Sequence, residues 1–102
     1  KNAKVDLTST DITALYTAPS STTTIVKSIL VSEDSGNADT ITLTLTNSAS
    51  AVFSLFKTKA VSANATVELL TGPLVVEESE ILKVTAATAN RLHVTASLLE
   101  IS

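Results

Sequence analysis

The chain has 102 residues, 44% of them hydrophobic and only 17% charged, with a formal net charge of −3 and no cysteine. A chain of that length holds one hydrophobic core, so a single domain over residues 1–102 is expected. The absence of cysteine removes disulfides, thiolate metal sites and thiol nucleophiles. The acidic balance offers neither the basic stripe that nucleic acid needs nor an attraction to anionic membranes. No apolar run approaches the ~18 residues of a membrane span, and no signal peptide opens the chain.

Hydroxyl takes the place of charge, with 17 Thr and 13 Ser. Threonine is β-branched and sits well on a pleated surface. In chain order, a first strand is expected over Ala3–Leu7 and a second over Asp11–Thr17, carrying Ile12, Ala14 and Tyr16 on one face. Ala18-Pro19-Ser20-Ser21 ends it, because proline removes a ladder donor and serine favours turns. Thr23–Ser32 is almost continuously apolar at Ile29-Leu30-Val31 and reads as a central strand. Glu33–Asp39 is a polar turn around Gly36.

The clearest period-two segment is Thr40–Thr46, with Ile41, Leu43 and Leu45 on one face and four threonines on the other. Strands are then expected at Val52–Lys59, Ala65–Leu70, Leu74–Val76, Ile81–Ala86 and Arg91–Ile101. They are separated by turns at Asn47–Ser50, Ala63-Asn64, Thr71-Gly72-Pro73, Glu77–Glu80 and Thr88–Asn90. No segment sustains a helical stripe. Thr85–Ala89 is alanine-rich, but its β-branched neighbours make it a poor helix. Eight or nine short strands at this spacing predict an all-β fold, an antiparallel β-sandwich of jelly-roll-like character.

Several strands carry more apolar positions than a two-sheet sandwich requires. Leu92, Val94, Ala96 and Leu98 share one face of the last strand, yet Leu99 and Ile101 break that pattern. Val67 and Leu69 share a face while Leu70 points away, and Leu74-Val75-Val76 is apolar on both sides. Large exposed apolar patches are rare on monomers. The surplus residues Leu70, Leu74, Val76, Leu99 and Ile101 are therefore expected at a subunit interface, and the chain is expected to be a homo-oligomer.

Candidate chemistry is sparse. His93 is the one histidine; it lies on the outer side of a strand, no G-x-S-x-G elbow accompanies it, and a surface role is expected. Glu77, Glu78 and Glu80 cluster in one turn, and Asp34–Asp39 offers some oxygen ligands but does not match an EF-hand loop. Aromatics are limited to Tyr16, Phe53 and Phe56, a thin platform for stacking sugars. Asn64-Ala65-Thr66 has the form of a glycosylation acceptor, read as chance without a secretory signal. The Thr40/Thr42/Thr44/Thr46 ladder is read as a wet sheet face. No catalytic residue, metal ligand or cofactor is expected.

The stretches Tyr16–Val31 (YTAPSSTTTIVKSILV), Thr71–Glu77 (TGPLVVE) and Arg91–Ile101 (RLHVTASLLEI) resemble small virion structural proteins of tailed bacteriophages. Those chains run Tyr-Thr-x-Pro-Ser-Gly-x-Thr-x-Ile-Val-Lys-Ser-Ile, then a polar turn and alternating strands, and end near Val-Ser-x-Leu-Glu. Two departures concern turns: the glycine after Pro-Ser is here Ser21, and the Ala-Gly-Asp turn is here Glu78-Ser79-Glu80. The resemblance implies a non-enzymatic part made in many copies within a virion that assembles in the bacterial cytoplasm. It would be a capsid decoration, or cement, protein contacting itself and the major capsid protein. The alternatives are a tail, neck or fibre module, or a receptor- or carbohydrate-binding sandwich.

Overall fold

The computed structural model describes residues 1–101, and among them it holds nine strands and no helix. They are β1 (Asn2–Asp6), β2 (Thr13–Thr17), β3 (Thr23–Glu33), β4 (Asp39–Thr46), β5 (Val52–Val61), β6 (Thr66–Glu68), β7 (Leu74–Val76), β8 (Ile81–Ala86) and β9 (Leu92–Ile101). One sheet runs β1-β9-β3-β6, with β7 also paired to β3; the other runs β2-β8-β4-β5. All pairings are antiparallel. The domain is a β-sandwich.

The pairing order has a simple logic. β1 pairs with β9, β2 with β8, β3 with β7 and β6, and β4 with β5. The first half of the chain thus meets the second half in reverse, as one long ribbon closed at the β4–β5 hairpin. Wrapping that ribbon lays β3 on β9 and β4 on β8, which makes two sheets from one ribbon. At ~3.3 Å per residue, the eleven residues of β3 span roughly 36 Å, in keeping with a longest dimension of 41 Å.

Alternation decides what lies between the sheets. Val26, Ile29 and Val31 of β3 and Leu92, Val94, Ala96 and Leu98 of β9 meet Ile41 and Leu43 of β4 and Leu82, Val84 and Ala86 of β8, all buried. Each fully buried aliphatic side chain of this size contributes on the order of 1.5–3 kcal/mol. Thr40, Thr42 and Thr44 lie half-buried on the opposite face of β4. Thr46 departs from the expected wet face: it is buried, and its hydroxyl has no hydrogen-bond partner.

Irregularities in several strands re-aim side chains, among them two register shifts between β4 and β5. A bulge between Ala14 and Tyr16 in β2 turns both Leu15 and Tyr16 inward and leaves Ile12 and Ala14 exposed, so the three residues expected on one face do not share it. A bulge between Val26 and Ser28 shifts β3 by one residue, which is why Lys27 and Ser28 interrupt its apolar pattern. β6 ends earlier than alternation suggests, because the Glu68 carboxylate takes over from the ladder. It accepts the N–H groups of Ile29 at 2.8 Å and Leu70 at 3.2 Å, and the Ser28 hydroxyl. Burial works to raise the pKa of Glu68, but these three donors outweigh it and the pKa is lowered.

Glu33 performs a similar task at the end of β3. It is buried and accepts the N–H groups of Ser35 (2.9 Å), Gly36 (3.1 Å) and Asn64 (3.0 Å), together with the Ser35 hydroxyl. Burial alone would raise its pKa. The Ser35 hydroxyl and the three backbone donors outweigh burial and lower it to about 2. One carboxylate thereby ties the β3–β4 loop, whose Gly36 has φ +83°, to the β5–β6 turn.

Candidate partner-contact surface

The registers of β3, β7 and β9 place Ile25 opposite both Val75 and Leu99. All three point away from the core and form one apolar row across three strands of the outer face. Val75 is 51% exposed and Leu99 44%, while Ile25 between them is half-buried. Ile101, 51% exposed, continues the row two residues along β9. On the same face the next rows are polar: Lys27, Ser28 and Ser97, then Lys4, Thr95 and Glu68 around a single Leu30. Apart from Leu30, 40% exposed, the apolar surface of this face lies at one end of the sheet.

Two shallow grooves border the row. One of about 370 Å³ runs along Ile25, Lys27, Thr71, Gly72 and Pro73. The other, about 260 Å³, runs along Ser21, Thr22, Thr23, Val75, Glu77 and Glu78. The Thr71-Gly72-Pro73 turn also lines a third groove, about 400 Å³, with Phe56, Leu69, Leu70 and Leu74 on the open side of the sandwich. The turn is thus shared by the outer row and the seam between the sheets.

A polar network beneath the row holds the end of β9 in place. The Tyr16 hydroxyl donates to Glu100 Oε2 at 2.5 Å and lies 2.7 Å from Thr24 Oγ1. Lys1 Nζ reaches the same carboxylate oxygen at 3.1 Å and stands 5.9 Å from the Tyr16 ring centre. The Tyr16 and Lys1 hydrogen bonds lower the Glu100 pKa. Burial, reinforced by the bond to Glu100, raises that of Tyr16. Since Glu100 sits between Leu99 and Ile101 in sequence, anchoring it fixes the direction of both exposed side chains.

The five residues expected at an interface divide three ways. Leu99 and Ile101 lie on the exposed row. Leu70 and Leu74 are half-buried against the core and line the seam. Val76 is corrected: it is completely buried within its own subunit and has no surface to offer. An apolar triplet with both faces greasy does not reveal which face is inward. The register of β7 on β3 turns Leu74 and Val76 in and Val75 out. Sequence reasoning missed Val75 and Ile25 for the same reason, since their membership depends on which strands become neighbours.

The polar candidates are dispersed. His93 Nε2 lies 3.2 Å from Asp6 Oδ1 and its Nδ1 3.4 Å from Asp34 Oδ2, on the exposed outer face at the far end of the sheet. Asp39 is buried and accepts the Thr88 N–H at 3.0 Å. Glu78 accepts the Ser21 N–H at 2.7 Å and Glu80 the Glu77 N–H at 2.8 Å. Among the described residues no three of these groups are arranged to hold a metal ion. Asn64 is exposed in the turn before β6. Comparison with known protein families, with curated proteins and with solved structures gives no match.

Proposed function

We propose that this chain is a non-enzymatic virion structural protein of a tailed phage, a capsid decoration subunit that stabilises the shell through contacts repeated over many copies. The observation that carries this reading is the Leu99–Ile25–Val75 row with Ile101, a compact apolar surface on a sheet face that is polar elsewhere except at Leu30. Such a patch, rimmed by polar groups, marks a protein contact. Its modest size suits a weak contact, and weak contacts repeated at high effective concentration add up on an assembled particle.

Two further features support the reading. The resemblance of Tyr16–Val31, Thr71–Glu77 and Arg91–Ile101 to phage virion proteins includes the residues of the row itself. The ribbon-wrapped strand order, β1-β9-β3-β6 with β7 facing β2-β8-β4-β5, favours reading the sandwich as a jelly roll. That architecture is common in capsid domains and also in lectins, so it counts as analogy of fold.

The test is quantitative mass spectrometry of purified particles, with the parent chain and a Leu99→Asp/Ile101→Asp variant. A copy number matching the shell subunits supports the decoration role, and the variant is then lost from particles while remaining folded. A handful of copies moves the protein to the tail or neck. Absence from particles overturns the proposal.

A further inference from the structure

We draw no further inference here: the strongest candidate, the apolar groove of about 400 Å³ at the open seam between β5 and the β6–β7 turn, lined by Phe56, Leu69, Leu70 and Leu74, carries nothing because no part of the structure shows what covers it.

Discussion

Replacing Ser21 and Ser79 by glycine is expected to stabilise the domain. Ser21 has φ +57° and Ser79 φ +65°, in the left-handed region where an L side chain carries ~1–2 kcal/mol of strain. The hydrogen bonds that knit the two turns together run through the serine backbones and survive substitution: Ser21 N–H to Glu78 Oε2 at 2.7 Å and Ser79 N–H to Ala18 O at 2.9 Å. Glycine also frees the unfolded chain, which takes back ~0.4–1 kcal/mol. The net gain is about 0.5–1 kcal/mol per site. Because the turns touch, the sum of about 1–2 kcal/mol is an upper figure for the double variant. At roughly 4–8 °C per kcal/mol for a domain of this size, Tm should rise by a few degrees for each single variant. Calorimetry or thermal circular dichroism measures this, with Ser48→Gly as the control: Ser48 is exposed in a turn without a positive φ, so glycine there can only destabilise. If Ser21→Gly and Ser79→Gly melt no higher than the parent and fall with the control, the strain argument is wrong.

Two other outcomes follow from the core and the buried carboxylate. Carboxylates in the unfolded chain protonate near pH ~4.3, whereas Glu33 keeps its charge down to about 2 and the pKa values of Glu68 and Glu100 are also lowered. In that window the unfolded state binds protons that the native state refuses, so stability is fully present above about pH 5 and is lost as pH falls toward 2. Tyr16, with its pKa raised, acts with the opposite sign: its contribution is present below ~10 and is lost as pH rises through the raised value. Urea midpoints at pH 7, 4, 2.5 and 11 measure both limbs, and equal midpoints at pH 7 and 2.5 would contradict the acid limb. Leu43 is completely buried between the sheets, so Leu43→Ala should cost ~2–5 kcal/mol in urea denaturation. Leu45→Ala, where the side chain is only partly buried, should cost less, and equal losses would refute the layer assignment.

Strand identity was legible in the amino-acid order. Ile41, Leu43 and Leu45 alternate with threonines, and Leu92, Val94, Ala96 and Leu98 alternate with polar residues, so period two names the element and its inward face without any neighbour present. Leu74–Val76 and Ile81–Ala86 even match the observed limits. Leu99 and Ile101 could be singled out as surplus for the same reason. Which residues join them depended on tertiary structure. Ile25, Val75 and Leu99 are 24 or more positions apart along the chain and become one row only because wrapping sets β3 between β7 and β9. Val76 and Val75 differ by one position, and only the register of β7 on β3 sends the first into the core and the second to solvent. Strand bulges belong to the same class: the extra residue that turns Leu15 and Tyr16 inward together is a compromise between two strands, and a single strand's sequence holds only one side of it.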